Sequence, residues 1–238
     1  MPHPVVDFAR VRAITFDAGG TLLTPNPGVG EVYAEILAQY GVAISPPILN
    51  QRFRVVFKEL TATRPRAVVN EATELAFWHE VVRGSVTPEC PADLLDQVFH
   101  QLWREFASAK RWRALPGAAE TLANLSAQKD LQLAILSNWD SRLRQVVTEL
   151  GWSPYLAGGL FISSEIHAEK PDPRAFRAVE QALHLPASAI LHIGDSQPHD
   201  YAAARAAGWQ AMLVTSTPHE GVPCLASLAE LPGLLGGR

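Results

Sequence analysis

At 238 residues, 47% of them hydrophobic and 18% charged, the chain has the balance of a globular protein large enough to bury a core without covalent staples. Its formal charge of -4 supplies none of the clustered basic field that a nucleic-acid backbone demands, which argues against nucleic acid as a partner. Cys90 and Cys224 stand far apart and outside any C-x-x-C spacing; this argues against a disulfide framework or a structural zinc site and suits a reducing, cytoplasmic setting.

In chain order, Met1 to Arg10 holds no apolar stretch of signal-peptide length, and no later segment reaches the unbroken apolar length of a membrane span, so no membrane association is expected. Val11 to Phe16 is the first strand: Val11, Ala13, Ile14 and Phe16 lead into Asp17-Ala18-Gly19-Gly20-Thr21, where the glycines stop it. From about Gly28 to Arg113 the apolar residues keep helical spacing instead, as in Val32, Ile36 and Leu37, or Leu94, Leu95, Val98 and Leu102. Breakers at Pro46-Pro47, Pro65, Gly84 and Pro88 to Pro91 divide that stretch into four helices.

After Pro116-Gly117 helix and strand alternate. Helical patterns at about 117–129, 141–150, 173–184 and 199–207 separate apolar runs at Leu131 to Leu136, Leu160 to Ile162, Ala189 to Ile193 and Ala211 to Val214. Short apolar runs between helices read as strands covered on both faces, hence a parallel sheet. The expected fold class is therefore α/β: a Rossmann-like core from residues 1–22 and 114–238, with a helical domain, residues 23–113, inserted after the first strand.

In open parallel sheets, ligands bind beyond the carboxyl ends of the strands. Asp17 ends the first strand, Ser137-Asn138 the second and Gly194-Asp195-Ser196 the fourth, while Lys170 lies in the loop and helix start after the third. One carboxylate nucleophile, a hydroxyl, a cation and a second carboxylate together suit phosphoryl chemistry. A carboxylate can form an acyl phosphate, splitting one displacement into two. Asp17 and Asp195 can hold a hard, octahedral Mg2+, and Lys170 and Ser137 can neutralise and orient the phosphoryl oxygens.

The motifs Phe16-Asp17-Ala18-Gly19-Gly20-Thr21-Leu22, Leu136-Ser137-Asn138, Glu169-Lys170-Pro171-Asp172-Pro173 and Gly194-Asp195-Ser196 with Asp200 resemble, in order, the four motifs of the haloacid dehalogenase-like hydrolase superfamily. The inserted helices resemble its α-helical cap class. Ser137-Asn138-Trp139-Asp140-Ser141-Arg142-Leu143 and Asp200-Tyr201 resemble the rhythmically expressed gene 2 protein subgroup. The resemblance implies Asp17 as nucleophile and magnesium ligand, with the Gly19 carbonyl and Asp195 as further ligands and Asp200 behind them. It also implies Ser137 and the Asn138 backbone as phosphate binders, Lys170 as the cation joining nucleophile to phosphoryl group, and a small phosphorylated metabolite as substrate.

Phosphatases of this family usually carry a second aspartate where this chain has Gly19, and glycine can neither protonate a leaving group nor activate water. The sequence leaves three outcomes open: slow cleavage of substrates with good leaving groups such as aryl or acyl phosphates, proton supply by a cap residue (His79, Glu80 or His100), or binding of a phosphorylated ligand without turnover. Carbon-phosphorus hydrolysis using Lys58 is a weaker reading, since a solvated helix face explains that lysine better, and so is dehalogenation, which needs no magnesium whereas Gly194-Asp195 points toward a metal. Trp139 reads as packing.

Overall fold

A computed structural model of the protein describes residues 6–64 and 68–235. In chain order its principal elements are β1 (Ala13–Phe16), β2 (Leu23–Pro25), α1 (Val29–Gln39), α2 (Pro46–Thr63), α3 (Glu71–Val86), α4 (Leu95–Glu105) and β3 (Trp112–Ala114). There follow α5 (Ala118–Ser126), β4 (Gln132–Ser137), α6 (Arg142–Glu149), β5 (Gly159–Ile162), α7 (Ser163–Ile166), α8 (Pro173–Leu183) and β6 (Ile190–Gly194). A π-helical turn, Gln197–Ala202, runs into α9 (Ala203–Ala206), and β7 (Gln210–Val214), β8 (Cys224–Leu225) and α10 (Leu231–Leu235) complete the chain. It divides into two compact units, Met1–Thr24 with Ala114–Arg238, and Pro25–Arg113. No helix among the described residues is long and apolar enough to cross a membrane.

The first unit is a six-stranded sheet in the order β5-β4-β1-β6-β7-β8, with every described pairing parallel. All four residues of β1 are fully buried because it lies centrally, hydrogen-bonded on both edges and covered on both faces, as a run that is apolar but for Thr15 favours. Register sets Phe16 beside Ile135 of β4 and Ile193 of β6, so β4 and β6 end two residues and one residue beyond β1 at the same edge of the sheet. From β1 the chain runs outward to β4 and β5 on one side and then crosses back to β6 on the other, which makes the carboxyl end of β1 a topological switch point. On one face α8 buries Phe176, Val179 and Leu183 at helical spacing. Phe176 meets fully buried Trp209 edge-on at 5.1 Å, and the indole Nε1 donates to Glu180 at 2.7 Å, so the ring is buried without an orphaned polar atom.

In the second unit Val32, Ile36 and Leu37 of α1 pack with Leu49 of α2, Val82 and Val86 of α3, and Val98, Phe99 and Leu102 of α4. Asn70 starts α3 with a reciprocal capping box to Thr73, 3.0 Å in each direction.

Two expectations need correction. Gly84 does not divide helices but lies inside α3, where a Cβ would come within 2.8 Å of Val56, so its lack of a side chain admits α2 at close range. The inserted segment is not purely helical at its ends, since β2 and β3 pair as a two-stranded sheet. Strands this short carry too few residues to display a period. Pro46-Pro47 open α2, where the missing N–H costs nothing, and Pro65 lies outside the described residues.

Candidate active site

Asp17 follows β1 directly, its own N–H still in the ladder with the Ile193 carbonyl at 2.9 Å. That bond holds the carboxylate at the mouth of the sheet, largely buried. Ser137, the last residue of β4, donates its hydroxyl to Asp17 Oδ1 at 3.0 Å. Lys170 reaches the same oxygen with Nζ at 2.8 Å and donates to Asp200 Oδ1 at 2.6 Å. Both described hydrogen bonds to the Asp17 carboxylate thus end on Oδ1, leaving Oδ2 unencumbered.

Lys170 is 2% exposed, and only its partners make that burial tolerable. Burial alone would lower its pKa, but the Asp17 and Asp200 carboxylates outweigh burial and raise it, so the ammonium stays charged. Asn138, whose backbone the resemblance gives to phosphate, uses its side chain to fix the lysine segment: Nδ2 donates to the Lys170 carbonyl and Oδ1 accepts the Lys170 N–H, each at 2.7 Å.

Asp195 follows β6 at the solvent-open rim. Gly20, at φ +86°, faces it so closely that a Cβ there would lie 2.6 Å from Asp195 Oδ2. Thr21 donates to its Oδ1 at 3.3 Å. Partial burial, and then the nearby Asp17 and Asp200 charges, push the Asp195 carboxyl up to about 6. Asp200 arrives on the π-helical turn, where the Ser196 N–H donates to Oδ2 at 2.8 Å. Its burial would raise its pKa, but the Lys170 ammonium wins and holds it well below the usual carboxylate range.

One oxygen from each of Asp17, Asp195 and Asp200 falls within 4.8 Å of the others. Three carboxylates against the single Lys170 ammonium leave two negative charges unbalanced. An all-oxygen donor set with that surplus fits a hard divalent cation.

The sequence does not reveal two further members. His192, fully buried in β6, lies opposite Thr15 of β1 in the parallel register. Its Nδ1 is 2.8 Å from Thr15 Oγ1 and its Nε2 is 3.1 Å from Asp200 Oδ1. Burial, and then the Lys170 charge, lower its pKa and keep the ring neutral. A proton on Nε2 satisfies all three groups: imidazole donates to Asp200, and the Thr15 hydroxyl donates to Nδ1. The available signal was a polar pair inside two apolar strands, which becomes visible once the sheet order is known.

At position 19 a Cβ would meet Trp139 Cζ3 at 3.6 Å, an ordinary contact, so the glycine is not required by crowding. In the helical unit, His79 is bonded to Asp96 at 2.9 Å, and Glu80 is held below its ordinary pKa chiefly by its hydrogen bond with Arg83, hence ionised without a proton to give. His100 and Lys58 are exposed. Arg111 is committed to Glu35 and Glu105.

Residues 11–208 match the haloacid dehalogenase-like hydrolase family. The chain is 30% identical over 213 residues to haloacid dehalogenase-like hydrolase domain-containing protein 3 of Mus musculus, covering 87% of this chain and 83% of that protein. It is 28% identical to the rhythmically expressed gene 2 protein of Drosophila melanogaster over 87% of this chain and 84% of that one. Among solved structures, the defluorinating L-2-haloacid dehalogenase Rha0230 superposes with a TM-score of 0.75 at 19% identity, covering 95% of each chain, a likeness of fold.

Proposed function

The chain belongs to the haloacid dehalogenase-like hydrolase family, and from that premise we propose that it is a magnesium-dependent phosphohydrolase, acting slowly on a small phosphorylated metabolite through an aspartyl-phosphate on Asp17. The observation that carries this reading is the Asp17 carboxylate, with Oδ1 held by Ser137 and Lys170 and Oδ2 open. Asp17, Asp195 and the Gly19 carbonyl would hold Mg2+, with Asp200 behind them. When bound, the ion offsets repulsion between the carboxylates and an anionic substrate and stabilises charge on the phosphoryl oxygens.

In the first step an Asp17 carboxylate oxygen bonds to phosphorus, and the bond from phosphorus to the leaving oxygen breaks with its electron pair on that oxygen. Lys170 and Ser137, already directed at the nucleophile, neutralise the non-bridging phosphoryl oxygens as geometry changes around phosphorus. The Asn138 side chain keeps the lysine from drifting. In the second step water attacks phosphorus, the acyl phosphate bond breaks, and phosphate leaves while Asp17 is restored as a carboxylate. Neither proton transfer has a side-chain partner at position 19, which makes turnover slow.

Gly19 also supports a second reading, a phosphate-binding or regulatory module that has kept the fold and lost the chemistry. Turnover of a phosphate-ester panel with magnesium separates the two. The enzyme reading expects activity that Asp17→Asn abolishes; activity no higher than that of Asp17→Asn for every ester sinks it in favour of the binding module.

A further inference from the structure

Resting on that phosphohydrolase reading, we propose that Trp139 determines specificity and that the substrates are aryl phosphates, in which phosphate is esterified to a phenolic oxygen. Position 19 carries no side chain. Apart from its chain neighbours, the space a Cβ would occupy at residue 19 is bordered within 4 Å by one atom among the described residues, Trp139 Cζ3. The position two residues beyond the nucleophile, where a proton donor would stand, is therefore open space against the edge of an indole.

The backbone that carries that edge is held in place. The Trp139 N–H donates to Ser163 Oγ at 3.0 Å, and its carbonyl accepts from Ser163 Oγ at 2.9 Å and from the Ser164 N–H at 3.2 Å. Both serines are 1% exposed, so the tryptophan backbone is tied at both polar atoms to a buried anchor while its ring stays half-buried. With the backbone so tied, only the two side-chain torsions remain to set the indole, whose Cζ3 edge borders the space at position 19. The polar groups nearest the nucleophile are already committed, Ser137 to Asp17 and Lys170 to Asp17 and Asp200.

Chemistry then selects the leaving group. With no acid at residue 19, the departing oxygen must carry the full negative charge released when its bond to phosphorus breaks. An alkoxide bears that charge on one atom; a phenolate spreads it into the ring. The aromatic ring that makes departure easier also packs on the indole, and both preferences point to one substrate class.

The test uses the full chain with Mg2+ and a series of substituted phenyl phosphates graded by leaving-group acidity, with alkyl phosphates and acetyl phosphate alongside. Log kcat/KM should rise steeply with leaving-group acidity, and Gly19→Asp should flatten that slope by raising alkyl ester cleavage roughly 10²- to 10⁴-fold. Trp139→Leu should lower the aryl-to-acetyl preference in kcat/KM by roughly 2- to 12-fold, and Trp139→Phe should restore most of it. A shallow slope in the unmodified protein, an acetyl phosphate preference over an aryl ester of matched acidity, or an unchanged aryl preference in a folded Trp139→Leu protein overturns the proposal.

If no ester is turned over, the phosphohydrolase reading has failed, and the tryptophan is tested by binding instead. Calorimetric affinity for phenyl phosphate over methyl phosphate, diminished by Trp139→Leu, retains the aromatic site; equal affinities remove it.

Discussion

His192 joins two strands through one ring, and its neutrality lets it serve a donor and an acceptor at once. Replacing it by leucine would preserve apolar bulk but leave the buried Thr15 hydroxyl without its imidazole partner and Asp200 Oδ1 with Lys170 alone. Leaving a buried hydroxyl unpaired costs about 1–3 kcal/mol. His192→Leu should therefore unfold at lower urea, with the free energy in water reduced by about that amount, whereas a change below about 0.5 kcal/mol would mean the ring bonds contribute little. At this scale the sequence was legible where polar residues interrupt apolar runs at strand ends: Asp17, Ser137 and Asp195 announce themselves by position. Thr15 and His192 do not, because a lone polar residue inside a strand acquires meaning only from the strand beside it. Lys170 taken alone reads as a surface lysine, and what buries it is a pair of carboxylates contributed from distant parts of the chain.

Among the elements, Gly84 shows how one residue type serves opposite ends. A glycine breaks a helix when nothing compensates for its freedom, yet in α3 the close approach of Val56 requires it. Gly84→Val would drive a branched side chain into that contact, and overpacking of this kind costs typically about 1–3 kcal/mol. Its thermal midpoint should fall clearly below that of the unmodified protein, while an unchanged midpoint would show that α2 and α3 can part without penalty. The long helices were readable from their periods and the four longer parallel strands flanking and following β1 from their apolar runs, with ends shifted by up to three residues. The two-residue β8, the pair β2 and β3, and the π-helical turn that delivers Asp200 were not, because each is defined by hydrogen bonding to remote backbone or by one extra residue in a turn.

For the whole molecule, the surplus of two negative charges predicts a response to a divalent ion that needs no substrate. Magnesium at a hundred times its dissociation constant adds about 2.7 kcal/mol to a protein that binds it only when folded. In a chain of this size that is a rise of about 5–10 °C in thermal midpoint. Asp195→Asn should lose most of that rise, and an equal rise in both proteins would place the ion elsewhere. The order of the sheet carries another consequence, this one for synthesis. Ala13 pairs with Gln132 on one edge and Ile190 on the other, so a ribosome that has just finished β1 must add more than a hundred residues before either neighbour exists. At roughly 5–20 residues per second, this fully buried strand waits on the order of ten seconds as an unpaired Ala-Ile-Thr-Phe segment, while all of Pro25–Arg113 emerges and can fold ahead of it. The nucleophile is therefore translated early but assembled late.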